Sequence, residues 1–125
     1  MSKYRQSLGR WGESLAADFL ARMGYEILEC NVRTPYGEID LVTRQPGYQG
    51  SPLVFVEVKT RASRAFGLPE ESITSRKRMH MLEAAQSYLQ THPELDGDWR
   101  IDVIAIQRQA AGLPPVITHF ENALG

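Results

Sequence analysis

The stretch VFVEVKT, residues 54–60, decides how the rest of the chain is interpreted. Its alternation predicts a β-strand in which the three valines point to one face, while Phe55, Glu57 and Lys59 point to the other. An apolar strand that carries an acid and a base on one face has two interpretations. The charged face is either an ordinary ion pair in contact with water or part of a functional site.

Composition and charge are those of an ordinary globular protein. The chain has 125 residues, of which 42% are hydrophobic and 23% are charged, and this predicts one domain over residues 1–125. Charges interrupt the apolar positions of the N-terminal segment, and no later run is long enough to span a bilayer. We therefore expect a cytoplasmic protein without a membrane partner. The net charge of −1 does not by itself indicate a nucleic-acid-binding protein.

Hydrophobic periodicity predicts two helices and five strands. Apolar residues recur at steps of three and four from Leu8 to Met23, which indicates that a helix with this apolar face spans 3–23. Runs of strand-forming residues bounded by Gly and Pro predict strands at 25–33, 37–44, 53–60, 99–106 and 116–120, and a second helix at 73–91 that Ser72 or Thr74 caps. The order αβββαββ indicates an α/β domain with helices packed on a mixed sheet.

A symmetric hairpin between the second and third strands gathers charged residues on one face of the sheet. A symmetric loop at 45–52 pairs Asp40 with Glu57, Glu38 with Lys59 and Val42 with Phe55, and leaves Ile39, Leu41, Val54, Val56 and Val58 on the other face. This register buries one apolar face completely and collects the polar groups on the second. An asymmetric loop would instead move Asp40 along the ladder.

The predicted pairing of acids raises an electrostatic problem. Carboxylates directly opposite each other on a sheet face repel, and three acids with one lysine leave an excess of negative charge. Mg²⁺ prefers oxygen ligands and commonly uses one or two carboxylates, so it is a natural partner for such a group. The alternative is a hydrated face on which Glu38 and Lys59 form a simple cross-strand pair. Spacing alone does not separate these two interpretations.

Three segments carry a resemblance to a known family. GEIDL at 37–41 and VFVEVKTR at 54–61, preceded by GRWGESLAADFL at 9–20, resemble the YraN-like uncharacterised bacterial proteins of the restriction-endonuclease-like superfamily. The resemblance extends from the first helix to RIDVIAI at 100–106. It implies a restriction-endonuclease-like core similar to archaeal Holliday-junction resolvases. The superfamily motif is an acid, a spacer, and then an acid, any residue and a lysine.

The resemblance implies an Mg²⁺-dependent or Mn²⁺-dependent DNA endonuclease. Carried over to this sequence, Asp40 and Glu57 are metal ligands, together with the main-chain carbonyl of Val58. Lys59 orients or activates the attacking water and stabilises charge that develops on the phosphate. Glu13 reaches the site from the first helix as a further ligand and catalytic residue, although its helical position alone indicates a solvated surface acid.

Basic residues near the third strand are the expected contacts to nucleic acid. Two of them follow that strand, in a connection from residue 61 to 71 that we expect to be irregular, and three open the second helix. They are Arg61, Arg64, Arg76, Lys77 and Arg78. Contacts of this kind go to phosphates and carry little base information, so we expect a structure-selective or nonspecific nuclease of junction or resolvase type. A solvated loop and helix face explains the same residues equally well.

The catalytic role has an alternative that metal binding separates, and the quaternary state is suggested by the resemblance alone. The resemblance to resolvases suggests a homodimer, and superfamily members can depend on a protein partner to reach DNA. The alternative function is a non-catalytic module that binds nucleic acid or protein on the same fold. An enzyme needs a divalent cation at the acids, whereas a binding module does not.

Other polar residues show no catalytic pattern. Asp102 is a second acid within an apolar strand, and we expect it to be a structural partner of Arg100 or of a backbone group. His80, His92 and His119 lack the spacing of a metal site or a catalytic triad, so we expect them at the surface or partly buried.

Overall fold

The fold consists of a five-stranded sheet and two helices. The computed structural model describes residues 3–47, 50–62 and 74–123. The elements are α1 (Lys3–Arg22), β1 (Glu26–Thr34), β2 (Gly37–Arg44), β3 (Leu53–Arg61), α2 (Ser75–Thr91), β4 (Trp99–Gln107) and β5 (Val116–Phe120). The predicted α/β class and the order αβββαββ, which is consistent with a nuclease-like core, are confirmed. Arg61 ends β3, and most of the predicted irregular connection lies outside the described residues.

The sheet is mixed, and its strand order follows the sequence order β1-β2-β3-β4-β5. The pairs β1–β2, β2–β3 and β4–β5 are antiparallel, and β3–β4 is parallel. A parallel pair needs a long crossover, and here α2 lies in the connection between β3 and β4. β3 is therefore flanked on both sides within the sheet.

The two helices bury opposite faces of the sheet. In α1, Ala16 and Leu20 are fully buried in a cluster with Leu41, Val56 and other sheet residues. In α2, Ala84, Ala85 and Tyr88 are buried in a second cluster, which contains Val42 and Phe55. Burial of these stripes is what stabilises the helices on the sheet, because removing apolar area from water is the main favourable term. No helix among the described residues is long and apolar enough to cross a membrane.

Both helix boundaries have local causes. The hydroxyl of Thr74 accepts a hydrogen bond from the Lys77 backbone N–H and caps α2, as predicted. The prediction that Met23 belongs to the apolar face of α1 is wrong, since its side chain is 58% exposed. The helix ends at Arg22, and the chain reverses at Gly24, whose φ of +92° glycine adopts readily. Met23 therefore lies beyond the helical turns that pack on the sheet.

The predicted register of β2 with β3 is correct, but the two strands separate at one end. Val42 pairs with Phe55 and Leu41 with Val56, but the ladder ends there, so the predicted pair of Asp40 with Glu57 is not formed. Beyond this point β2 continues its pairing with β1, while β3 continues with β4 as far as Arg61. We call the opening between residues 38–40 of β2 and 57–59 of β3 the fork.

The predicted face of Ile39 is wrong, and a local twist of the β1–β2 hairpin explains the error. Ile39 packs in the cluster beneath α2, whereas Leu41 packs beneath α1, so the alternation of β2 breaks at Asp40. The pairs on either side, Cys30 with Leu41 and Val32 with Ile39, place Asn31 opposite Asp40. Asn31 has a left-handed φ of 52°, which turns the hairpin at this level.

Candidate active site

Three carboxylates converge at the fork. Glu13 comes from α1, and Glu38 and Asp40 come from β2; one carboxylate oxygen of each lies within 4.8 Å of the others. Glu38 is exposed, whereas Glu13 and Asp40 are half-buried. Glu13 and Asp40 are site residues by the superfamily motif, whereas Glu38 lies outside the motif and is expected only as one of the acids on the sheet face. Such a set of oxygen donors is suited to a hard divalent cation.

Close approach of α1 to β3 brings Glu13 to the fork. Gly12 lies directly against Thr60, and a Cβ at this position would overlap the Thr60 side chain. Glycine therefore allows the helix to pack more closely than any other residue would. The GRWGE segment thus contributes both the acid and the contact that positions it.

The surroundings of Asp40 disfavour its charged form. Its Oδ2 accepts a hydrogen bond of 2.7 Å from the Val58 backbone N–H, across the opening where the ladder has ended. Burial and the negative charge of Glu57 raise the pKa of Asp40 to about 8, with smaller contributions from Glu13 and Glu38, while the Val58 hydrogen bond opposes the rise. The protein compensates the charge of Asp40 only in part.

Asn31 links two of the carboxylates. Its Nδ2 donates to Glu13 Oε1 at 2.9 Å and to Glu38 Oε1 at 3.1 Å. The left-handed backbone of Asn31 turns this side chain towards the acids, and asparagine tolerates that conformation better than most residues. The sequence motifs do not indicate Asn31. The tight turn at TPYG could have indicated it, because a symmetric hairpin around that turn places Asn31 opposite Asp40.

Glu57 and Lys59 form an ion pair beside the carboxylates. Lys59 Nζ lies 3.1 Å from Glu57 Oε1, and the two side chains are only 18% and 21% exposed. The predicted pairing of Glu38 with Lys59 is not formed; Glu38 lies opposite Arg33 and accepts from Asn31 instead. Glu57 is not part of the group whose oxygens lie within 4.8 Å among the described residues. Its role as a ligand, like that of the Val58 carbonyl, stays a prediction.

A hollow lined by cations adjoins the site on the α1 side. This basic hollow has a volume of about 230 Å³, and Glu13, Lys59, Arg61 and Lys77 contribute to its lining. The charge of Lys59, burial and the charge of Arg61 lower the pKa of Lys77. Cations that repel one another in this way favour an anion between them.

A second hollow lies on the α2 side of the same strands. This apolar hollow has a volume of about 220 Å³, and its wall contains Phe55 and Ala84 from the core beneath α2. Lys59 and Lys77 line both hollows, so they separate an apolar space from a basic one.

The predicted nucleic-acid contacts have different positions in the structure. Arg61 and Lys77 line the basic hollow. Arg76 and Arg78 are exposed on the first turn of α2, and Arg64 lies outside the described residues. The geometry therefore associates two of the five predicted cations directly with the site.

Asp102 is a structural acid, as the sequence predicted. It is fully buried, and its carboxylate accepts from Arg100 Nε at 2.9 Å, from Arg100 Nη2 at 3.1 Å and from the Asn122 backbone N–H at 2.8 Å. His119 Nε2 contacts the second oxygen at 2.7 Å. Burial by itself raises the pKa of Asp102, but the hydrogen bonds from His119, Arg100 and Asn122 outweigh it and the net pKa is lowered.

The other two histidines also have defined surroundings. His80 lines the apolar hollow, and His92 stacks on the ring of Tyr88 with centroids 3.9 Å apart. His80 is exposed, and His92 and His119 are half-buried, in agreement with the prediction.

Comparison with known sequences establishes the family. The family model described as "Uncharacterised protein family UPF0102" matches residues 12–106. The chain belongs to this family. It is the YraN-like family to which the sequence motifs pointed. The match includes Glu13, Asn31, Glu38, Asp40 and Lys59 within its limits.

Individual UPF0102 proteins align with nearly the whole chain. One from Roseiflexus castenholzii is 48% identical over 125 residues, which cover 99% of this chain and 98% of the relative. One from Syntrophotalea carbinolica is 44% identical over 124 residues, covering 98% and 95%. One from Dehalococcoides mccartyi is 41% identical over 125 residues, covering 100% and 98%. The chain thus spans nearly the full length of these relatives.

Proposed function

We propose that this UPF0102 protein is a divalent-cation-dependent endonuclease that hydrolyses phosphodiester bonds in DNA. The observation that carries the proposal is the convergence of Glu13, Glu38 and Asp40 within 4.8 Å, beside the Glu57–Lys59 ion pair and a basic hollow. Acids for a cation, a lysine for the phosphate and a path lined by further cations are the parts that metal-assisted phosphodiester hydrolysis needs.

The donor set fits Mg²⁺ or Mn²⁺. Both are hard cations that take carboxylate oxygens, and Mg²⁺ retains several of its waters when only a few protein ligands bind it. The raised pKa of Asp40 has its cause in burial and in the neighbouring carboxylates Glu57, Glu13 and Glu38, and a bound cation would remove that repulsion. When bound at these acids, the cation would polarise a phosphoryl oxygen and lower the pKa of a water molecule.

The remaining groups have roles that their contacts support. Lys59 is held near the acids by Glu57, so its ammonium donates to a phosphate oxygen and stabilises charge that develops there. Asn31 fixes the orientation of Glu13 and Glu38, and the Val58 N–H fixes that of Asp40. These hydrogen bonds hold the carboxylates in place before a cation or a substrate binds.

The basic hollow supplies the path for the DNA backbone. Arg61 and Lys77 lie beside Lys59, so a phosphate next to the cleaved one would meet two further cations. Backbone contacts of this kind position DNA without reading its sequence. They support a structure-selective or nonspecific enzyme, and they predict an affinity that falls steeply with salt.

Cleavage of a labelled DNA panel tests the proposal. The panel contains a single strand, a duplex, a flap and a four-way junction, incubated with Mg²⁺ or Mn²⁺. Wild type is compared with Asp40→Asn, which removes a ligand without changing the side-chain volume. Asp18→Asn, an exposed acid of the same helix as Glu13, is the matched control. We expect cutting by wild type and by Asp18→Asn that is lost in Asp40→Asn and in EDTA.

Metal binding distinguishes an enzyme from a binding module. Calorimetric titration with Mg²⁺ should show a site in wild type that Asp40→Asn lacks, with circular dichroism confirming that both are folded. If wild type binds the panel but neither cuts it nor binds Mg²⁺ or Mn²⁺, the nuclease proposal fails. The non-catalytic nucleic-acid-binding module is then the better description.

A further inference from the structure

The apolar hollow has no role in the proposed hydrolysis. Its wall contains residues of the core between α2 and the sheet, including Phe55, Ile101 and Ala84, and Met81 of α2 lines it too. Tyr36, 47% exposed at the β1–β2 turn, lines it as well. The volume of about 220 Å³ lies below the roughly 300 to 1,000 Å³ of typical small-molecule sites. Such a space suits one flat ring system.

The position of this hollow relative to the carboxylates restricts what can occupy it. Glu38, Glu57 and Lys59 line it and also belong to the proposed site of hydrolysis or its ion pair. Lys59 and Lys77 form the boundary with the basic hollow. A ligand whose phosphate lies against these lysines therefore has its next chemical group at the entrance of the apolar hollow.

We propose that the apolar hollow binds a single unpaired nucleobase next to the phosphate that is cleaved. The inference rests on the proposed nuclease function, and it names the class of substrate. Nucleobases are flat and aromatic, so their faces can pack on Met81 and on the exposed ring of Tyr36. Stacking of a base on an aromatic side chain strengthens binding by about 5-fold to 150-fold and tolerates any sequence.

A base can enter this hollow only after it has left its partner. A base within a duplex is stacked on both faces and paired at its edge, so extruding it costs a few kcal/mol. That cost is already absent in a single strand, a flap or the unpaired nucleotides of a branch point. The hollow thus makes the enzyme selective for DNA with an unpaired nucleotide at the cleavage position.

Binding of a mononucleotide tests the hollow independently of cleavage. Titrations of ¹⁵N-labelled protein with dAMP and with deoxyribose 5-phosphate, followed by NMR, compare the same phosphate with and without a base. We expect dAMP to bind at least about fivefold more tightly, the lower end of the effect of stacking one base. It should shift the amide signals of Ile39 and Met81. Equal affinities, or shifts confined to other parts of the chain, would overturn the inference.

Substitutions within and outside the hollow provide matched controls. Tyr36→Ala removes the exposed ring, and Met81→Trp fills the hollow; both should weaken dAMP binding several-fold and leave deoxyribose 5-phosphate unchanged. Met79→Trp places the same bulk two residues earlier on α2, where the side chain is 59% exposed, and should bind dAMP like wild type. If Met79→Trp and Met81→Trp behave alike, the base does not occupy the hollow.

An abasic substrate separates this inference from the nuclease proposal. A substrate that wild type cuts is prepared with the base removed on one side or the other of the cleaved phosphate. Wild type should cut one of these two substrates about tenfold more slowly than intact DNA. On that abasic substrate Tyr36→Ala should cut as fast as wild type, because the base that the ring would contact is absent. Equal cutting of intact and abasic DNA would overturn the base site while the nuclease stands. Tight dAMP binding without any cutting would support the base site and overturn the nuclease proposal.

Discussion

Asp40 and Asp102 are both acids within largely apolar strands, but their surroundings differ completely. Asp102 is fully buried and has four contacts from Arg100, His119 and Asn122, which lower its pKa. Asp40 is half-buried, accepts from the Val58 N–H and is surrounded by other carboxylates, so its pKa is raised. The two acids therefore have opposite electrostatic surroundings in the same sheet.

The difference lies in whether the fold supplies compensation for the charge of the acid. The fold supplies the positive charge and the donors that Asp102 needs, so its burial is stable without any external partner. At the fork, Glu13 and Glu38 add negative charge to Asp40 instead of removing it. Among the described residues the Val58 N–H compensates the charge of Asp40 only in part, and a proton or a bound cation would complete that compensation.

The largest expected effect is on cleavage. Asp40→Asn should reduce the cleavage rate by about 10³-fold, comparable to removing a group that stabilises a transition state. Asp102→Asn should retain most of the activity of wild type when rates are measured in the cold and normalised to the folded fraction. The comparison breaks if Asp102→Asn, while folded, is as inactive as Asp40→Asn.

The second effect is on stability, where the substitution of Asp102 should be more damaging than that of Asp40. Asp102→Asn leaves Arg100 without its buried partner and should lower the free energy of unfolding by about 3 kcal/mol. Asp40→Asn removes a carboxyl group that ionises readily only in the unfolded chain, so it should raise the free energy of unfolding at neutral to alkaline pH in EDTA. Urea denaturation measures both values, and Asp98→Asn, an exposed acid before β4, is the control. A loss of stability in Asp40→Asn as large as that in Asp102→Asn would contradict this assignment.

The third effect is a dependence of stability on pH, with opposite sign for the two acids. The pKa of Asp40 is about 8 in the folded protein and about 3.9 in an unfolded chain. Between these values the folded state binds more protons, so the free energy of unfolding falls as pH rises. Without metal we expect a fall of about 2 to 3 kcal/mol, less than the roughly 6 kcal/mol that the full pKa difference would give, because water relaxes around the half-buried site.

Denaturation curves across this pH range, with EDTA and with saturating Mg²⁺, check the dependence. The lowered pKa of Asp102 works in the other direction: its contribution is present above the unfolded pKa and is lost as pH falls through the folded value. Asp40→Asn should flatten the curve between about pH 4 and about pH 8, and Mg²⁺ should do the same in wild type. An unchanged slope in Asp40→Asn would show that another group titrates there.

The smallest effect concerns the residue that holds the acids together. Asn31→Ala should weaken Mg²⁺ binding about tenfold, the lower end of the effect of removing a hydrogen-bond partner of metal ligands. Asn31→Gly is the matched control, because glycine keeps the left-handed backbone at φ 52° but lacks the amide. Calorimetry should show the same loss in both variants. If Asn31→Gly binds Mg²⁺ like wild type, the backbone conformation and not the amide positions Glu13 and Glu38.

The sequence by itself determined the element order, the register of the central hairpin and the structural role of Asp102. These follow from local rules: periodicity distinguishes helix from strand, turn residues mark the ends, and a symmetric loop sets which residues face each other. The pairing of Val42 with Phe55 is confirmed for that reason. Motif resemblance then selected Asp40, Glu57, Lys59 and Glu13 as candidates.

Only the tertiary structure decided which acids meet and what surrounds them. Glu13 joins Glu38 and Asp40 because Gly12 lets α1 approach Thr60, a contact between residues far apart in sequence. The left-handed Asn31 moves Ile39 to the other face and places an amide between two carboxylates, which no alternation of residue types predicts. The two hollows also form between elements that pack together only in the folded chain. Local patterns specify the elements, but the distances between their side chains depend on packing.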